Sequence, residues 1–238
     1  MTARAGTHLQ ELLGLSRPPV AVAFLPAAPP GVRRVAHAGP AGCAYWKLAQ
    51  EGHVFYTEAG DHQNCPVGAH THGVPLRPDT AKELEGVVST MVGLQYIRMS
   101  EVAALPRRTA PFGVAVYAPV AQAPCPPDLV LVRGNARQIM LLSEAALAVG
   151  VAHDGAVMGR PACAMIPATL ESAKGTTSLG CIGNRVYTGL ADDELYYAVP
   201  AAALAAVEQK LGTILRANRE LATYHEGRRA SLGPARAR

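Results

Sequence analysis

Aromatic side chains are scarce in this 238-residue chain: three Phe and one Trp, with aromatics at 5% overall. Single-stranded nucleic-acid binders stack bases on such rings, and this chain is poorly supplied with them. Charge is thin as well. Charged residues make up 17%, and 22 Lys and Arg against 18 Asp and Glu leave only +4, evenly scattered. Nucleic acid is therefore not expected as a partner. Long hydrophobic runs are missing too. The longest uncharged stretch, Thr109 to Pro127, is broken by Pro111, Pro119, Pro124 and Pro126, so it cannot form a spanning helix. Arg4, His8, Glu11 and Arg17 interrupt the first residues and leave no signal-peptide core. The expectation is a cytoplasmic protein that does not engage a membrane. No phosphate-binding Gly-Lys loop, Gly-x-Ser-x-Gly elbow or His-Glu-x-x-His helix occurs. With 49% hydrophobic residues the chain still has ample material for a core, which excludes a disordered protein.

The elements that are present alternate. Thr7 to Leu15 reads as a short helix stopped by Arg17, Pro18 and Pro19, and Val20 to Leu25 as a buried strand. Pro26 to Gly39 is a loop, Ala41 to Glu51 a helix closed by Gly52, and His53 to Glu58 a strand. Ala59 to Pro75 is polar and Gly-punctuated, and is expected to be a loop. Pro78 opens a helix to about Val92. Beyond it, Gly113 to Val120 and Asp128 to Val132 have strand length, and Asn135 to Val149 carries an apolar stripe at helical spacing. Pro161 to Ala173 is expected to be helical with Pro167 as a kink or stop. Thr176 to Leu179 and Glu194 to Val199 read as strands. Pro200 starts a long C-terminal helix to about Glu226, and Gly227 to Arg238 is expected to be a flexible basic tail. Such alternation implies an α/β or α+β domain: a mixed sheet flanked by helices, over residues 1–226.

Within it the halves echo one another. Gly-Cys-Ala-Tyr-Trp-Lys-Leu-Ala-Gln-Glu-Gly at Gly42 to Gly52 precedes a strand and then Cys65. Ala-Cys-Ala-Met-Ile-Pro-Ala-Thr-Leu-Glu-Ser-Ala-Lys-Gly at Ala162 to Gly175 precedes a short strand and then Cys181. An internal pseudo-duplication would make two similar lobes, about 10–110 and 111–226, and bring equivalent cysteines together where they join.

Cys43, Cys65, Cys163 and Cys181 are the main chemical constellation. In a reducing compartment they are free thiols, and each has small or turn-forming neighbours. Their wide spacing does not fit paired zinc knuckles but suits an iron–sulfur cluster of [4Fe–4S] type assembled between lobes. Cys125, in Ala-Pro-Cys-Pro-Pro, lacks this context and is read as structural. Two alternatives stay open. Cys65 with His70 and His72 has the donor types for zinc or haem iron in a non-catalytic protein. Cys181 could instead be a metal-free nucleophile, with Arg185 binding an anion. Ser178 to Leu195 is the most informative stretch, and Asn184, Arg185 and Tyr187 are candidates to bind the cofactor or a substrate. Asp192, Asp193 and Glu194 are read as a cap or a cation site. A small molecule or redox partner follows from such a site, and the apolar stripe of the last helix allows a homo-oligomer.

Taken in order, Pro-Val-Ala-Val-Ala-Phe, Gly-Cys-Ala-Tyr-Trp-Lys-Leu-Ala-Gln-Glu-Gly, Asn-Cys-Pro-Val-Gly-Ala-His, Tyr-Ala-Pro-Val, Pro-Asp-Leu-Val-Leu-Val, Gly-Arg-Pro-Ala-Cys-Ala and Ser-Leu-Gly-Cys-Ile-Gly-Asn-Arg resemble the domain-of-unknown-function 169 (DUF169) family from about Gln10 to Leu221. The family pattern maps onto Cys43, Cys65, Cys163 and Cys181, and not onto Cys125. Many relatives place two glycines soon after the second cysteine, where this chain has Pro66, Val67 and Gly68. The resemblance implies one fold and a shared cysteine site, and it implies no activity. Many relatives belong to anaerobes, which suits an oxygen-sensitive cluster.

Overall fold

Short β-branched and aromatic runs bounded by Pro and Gly become strands here, and the striped segments between them become helices. The computed structural model describes residues 6–154 and 160–233. Among these, eight strands form one mixed sheet: β1 (Val20–Leu25), β2 (Arg33–Arg34), β3 (Phe55–Glu58), β4 (Val114–Pro119), β5 (Leu129–Asn135), β6 (His153–Asp154), β7 (Gly175–Ser178) and β8 (Glu194–Pro200). Their order is β2-β3-β4-β1-β5-β8-β7-β6. The outer pairs β2–β3 and β6–β7 are parallel and every other pair is antiparallel. This is an α+β architecture.

The order is the same from either edge once β1 to β4 are exchanged for β5 to β8. Register follows suit. Val20 and Val22 face Leu131 and Leu129 on either side of the central Ala21↔Val130 pair. Pro119 stands opposite Val20 as Pro200 stands opposite Leu129, and Thr57 opposite Ala115 as Ser178 opposite Tyr196. The helices between strands differ between the halves.

Those helices are α1 (Leu9–Leu13), α2 (Ala44–Gln50), α3 (Pro66–Thr71), α4 (Pro78–Gly93), α5 (Met99–Ala103), α6 (Ala136–Ala148), α7 (Met165–Ser172), α8 (Ile182–Thr188) and α9 (Leu204–Leu232). Strand alternation sends Val20, Val22, Ala115, Tyr117, Leu129, Leu131, Tyr196 and Ala198 to one face. There they pack on Tyr45, Trp46 and Ala49 of α2 and on Met165 and Ile166 of α7. Ala21, Val130, Val132, Tyr197 and Val199 point to the opposite face, under α1, α6 and α9. Cys125 is packed on that second side of the sheet, against Ala23, Val114 and Val116.

Several sequence expectations need correction. The segment Ala59 to Pro75 is not a loop. It holds a 3-10 turn, Ala59–His62, and α3, because Pro66 supplies a preset first helical residue and Cys65 caps it. Likewise the glycine-rich stretch after Cys181 is helical as α8. Pro167 neither kinks nor stops α7, since it occupies the first turn, where backbone N–H groups have no helical acceptor. The left-handed residue ending α7 is Ala173 rather than Gly175. Gly175 answers a different need: a side chain there would run into the Tyr197 hydroxyl. Finally α9 continues through Leu232, so much of the expected tail is helix, and residues 234–238 lie outside the described residues. No helix among the described residues is long and apolar enough to cross a membrane.

Candidate functional site

Each of the four family-pattern cysteines stands at the start of a helix. Cys43 precedes α2, Cys65 caps α3, Cys163 lies in the 3-10 turn Ala162–Ala164 leading into α7, and Cys181 caps α8. Helix N-termini carry partial positive charge and free N–H groups, an environment that favours a thiolate. At two of them the N–H is already aimed at sulfur: Gly68 N donates to Cys65 Sγ at 3.3 Å, and Asn184 N to Cys181 Sγ at 3.5 Å. Gly68 is required there. A Cβ on it would sit 2.9 Å from Cys65 Sγ, so the cap closes on the sulfur only without one.

Cross-packing between halves gathers the four helix starts. α2 packs on α8, and α3 on the turn carrying Cys163. All four sulfurs border the same core cluster, with Cys43 and Cys163 buried and Cys65 and Cys181 half-buried. They are electrostatic neighbours. Burial pushes the Cys43 thiol up to about 12; the Asn184 amide pulls it down, and Cys65 and Cys181 push it up again. Burial also raises Cys163, aided by the charges of Cys65, Cys181 and Cys43 and opposed by the Thr71 hydroxyl. Both buried groups are therefore neutral thiols at pH 7, and losing their protons requires a cationic partner. Among the described residues no three His, Cys, Asp or Glu side chains stand in a metal-ligating arrangement.

Several buried polar side-chain atoms make no short hydrogen bond within the chain, some of them beside these thiols. They are Trp46 Nε1, both amide atoms of Gln50 and of Asn184, His62 Nδ1, His72 Nε2, and the Tyr117 and Tyr196 hydroxyls. Tyr117 lies beside Cys43 and Cys163, and Tyr196 beside Cys43. Folded proteins rarely leave such groups unpaired. The histidines are held neutral, His62 at about 3 by burial and by the nearby His72, and His72 at about 4 by burial despite its backbone bond. His72 Nδ1 bonds the Gly68 carbonyl at 2.6 Å, so Nδ1 carries the proton and Nε2 a bare lone pair.

The first half braces its cysteines through Asp61. Arg34 grips that carboxylate with Nε at 3.0 Å and Nη2 at 2.9 Å, and the Tyr45 hydroxyl of α2 donates to the Asp61 carbonyl at 2.6 Å. Burial alone would raise Asp61, but its bond to Arg34 wins and holds the carboxyl below its ordinary range. In the second half Arg133 is the brace. It donates to Glu194 from Nε at 2.9 Å, to the Thr188 carbonyl at 3.2 Å and to the Gly189 carbonyl at 2.6 Å, tying the end of α8 to the sheet.

The residues expected to bind cofactor separate in space. Asn184, 1% exposed, reaches Cys43 from α8. Arg185 is committed to the Leu179 and Ala191 carbonyls at 2.7 and 2.9 Å and to Asp192 at 3.6 Å, and Tyr187 lies on the outer face of α8. Of the acidic trio, Asp192 and Asp193 are exposed and Glu194 belongs to Arg133. His70 and His72 do not share a face. Two residues apart on a helix they diverge by about 200°, whereas an extended segment would have aligned them. His62 is a candidate ligand with Cys65, His70 and His72 in the His-x2-Cys-x4-His-x-His run, but sequence reasoning missed Trp46, Gln50, Tyr117 and Tyr196, because side chains of these types normally find partners and nothing local marks them as unpaired.

A family model, DUF169, described as uncharacterised ArCR, matches residues 8–210. The chain belongs to the DUF169 family. No curated protein and no solved structure matches the chain. The DUF169 match spans all eight strands and all four helix starts that bear cysteines.

Proposed function

We propose that Cys43, Cys65, Cys163 and Cys181 hold a [4Fe–4S]-type cluster and that the protein moves electrons to or from a small molecule or a redox partner in the cytoplasm. One observation carries this reading: four thiols from distant parts of the chain border one core at four helix N-termini, each half supplying two. Thiolates are the protein ligands of such clusters, and backbone N–H groups aimed at sulfur are among the features that tune them. The buried donors Trp46 Nε1, Asn184 Nδ2 and the Tyr117 and Tyr196 hydroxyls suit an anionic sulfur-rich centre, and their neutrality adds no competing charge. The bound cluster would supply one-electron chemistry; the chain supplies ligands, hydrogen bonds and exclusion of water. The matched strand order supports reading the two halves as copies of one ancestral unit, with the cluster on the axis between them.

Anaerobic reconstitution with iron and sulfide tests the proposal. About four irons and four sulfides per chain are expected, with a broad absorption near about 400 nm. Cys→Ser changes at positions 43, 65, 163 and 181 should each lower the iron content, while Cys125→Ser leaves it unchanged. A chain that takes up neither iron nor sulfide overturns the reading. Stoichiometric zinc or haem, lost with Cys65→Ser or His70→Ala, replaces it with a site built on Cys65 and its neighbouring histidines. One fast-alkylating thiol at Cys181 in otherwise metal-free protein replaces it with a cysteine nucleophile.

A further inference from the structure

α3 and α8 occupy equivalent places in the two halves, and their caps align them residue by residue. Each begins with a cysteine whose Sγ accepts from the backbone N–H three positions on. On that alignment Pro66 corresponds to Ile182, His70 to Val186 and Thr71 to Tyr187. In the first half α4 packs over α3; Pro66 is buried and His70 half-buried there, while Thr71 is buried toward Cys163. The second half has no counterpart of α4 between α8 and β8, and the same face lies open: Ile182 is 73% exposed, Val186 70% and Tyr187 41%, with Leu179 beside them at 44%. One helix turn separates Ile182 from Val186, so these side chains form a continuous apolar stripe next to Cys181. The equivalent surface within the same molecule is covered by a helix.

A helix without a partner is also present. α9 packs against α6 through Leu204, Val207 and Leu211, and the Asn218 amide makes a last bond to Glu144 at 3.1 Å. From Arg219 onward every described residue is exposed, including Leu221, Tyr224 and Leu232. An unsupported helical end of this length is marginal in water. It cannot fold back onto its own α8, because α9 and α8 lie on opposite faces of the sheet. Charges partly complement each other: Asp192, beside Arg185, and Asp193 are exposed just beyond α8, and the free end of α9 carries Arg219, Arg228 and Arg229 together with Glu220 and Glu226.

We propose that the protein is a two-fold homodimer in which the free end of α9 from each copy lies across the α8 face of the other, standing where α4 stands on α3. Such an exchange is reciprocal and closes on itself. It covers the half-exposed Cys181 with the partner's helix, and it holds whatever the four thiols bind.

Light scattering of the full chain at about 10 µM, a concentration a micromolar dimer survives, should give close to twice 24.9 kDa. Ile182→Glu with Val186→Glu, and separately Leu221→Glu with Tyr224→Glu, should each give the monomer mass. All four positions are exposed, so far-UV circular dichroism should stay unchanged in both variants apart from some loss from the α9 end. Asp192→Arg with Asp193→Arg should weaken the dimer, and adding Arg228→Asp with Arg229→Asp should restore it. A monomeric wild-type protein overturns the proposal, as does a dimer indifferent to the α8 changes. A dimer broken by the α8 changes but untouched by the α9 changes overturns the assignment of α9 as occupant.

Discussion

His62 and His72 set the acid limit of the native state. Their rings lie 5.6 Å apart, each 1% exposed, and the site has room for both only as neutral imidazoles. In the unfolded chain they take protons near the ordinary value of about 6.5. In the native state burial lowers them to about 3 and about 4. Between those limits the unfolded state binds more protons, so stability rises with pH through the window and is lost as pH falls below about 6.5. Above it the two histidines contribute no slope. His70, lowered by burial and by Arg107, acts in the same direction. Carboxylates join only below about 4.5, so the interval from about 6.5 to 5 isolates the histidines. Unfolding free energies from urea titrations should fall steadily across that interval by up to about 1.4 kcal/mol per pH unit for each histidine, and His72→Gln should flatten the curve. A midpoint constant from pH 7 to 5 would contradict the assignment.

Among the elements, α8 depends on a single side chain from another strand. Arg133 of β5 is 5% exposed and ends its guanidinium on Glu194 and on the two carbonyls that close α8. Burial pushes Glu194 up, but the bond from Arg133 prevails and keeps it ionised. Cutting one partner of a buried pair leaves the other charge uncompensated, a loss of about 3–5 kcal/mol. Arg133→Ala should therefore lower unfolding stability by about that much and free the C-terminal end of α8. Chemical denaturation measures the first effect, and faster amide exchange at Thr188 and Gly189 measures the second. The N-terminal part of α8, held by Cys181, should exchange as before. Much of this element level could be read from the chain: Pro78 opening α4, the stripe of α6, and the Cys-Ala helix starts. α3 and α8 could not. Helices this short have too little pattern to register, and they form because a cysteine cap and a packed neighbour fix them.

At the scale of the whole molecule the two halves share one sheet and exchange helix contacts, so neither can bury its apolar face alone. The seam consists of the β1–β5 pairing and the cross-packing of α2 on α8 and of α3 on the turn bearing Cys163. Trp46 of the first half meets Tyr196 of the second edge-on at 5.3 Å, so its fluorescence reports on that seam. Unfolding should be one cooperative transition, with tryptophan emission and far-UV circular dichroism changing at the same urea concentration. Two separated transitions would show that the halves are independent domains.

The amino-acid order by itself determined the longer strands and which thiols keep small neighbours, because periodicity, caps and Pro or Gly boundaries are local properties, while the two-residue edge strands β2, inside the segment read as the loop Pro26 to Gly39, and β6 left no such mark. Tertiary structure decided everything that depends on distant neighbours. It brought four cysteines from separate helices to one core, left Asn184, Tyr117 and Tyr196 buried beside them, and turned Arg185 to backbone carbonyls. It also covered α3 and left α8 bare. Such outcomes follow from strand order and cross-packing, which act between residues far apart in the chain and leave no mark at the position concerned.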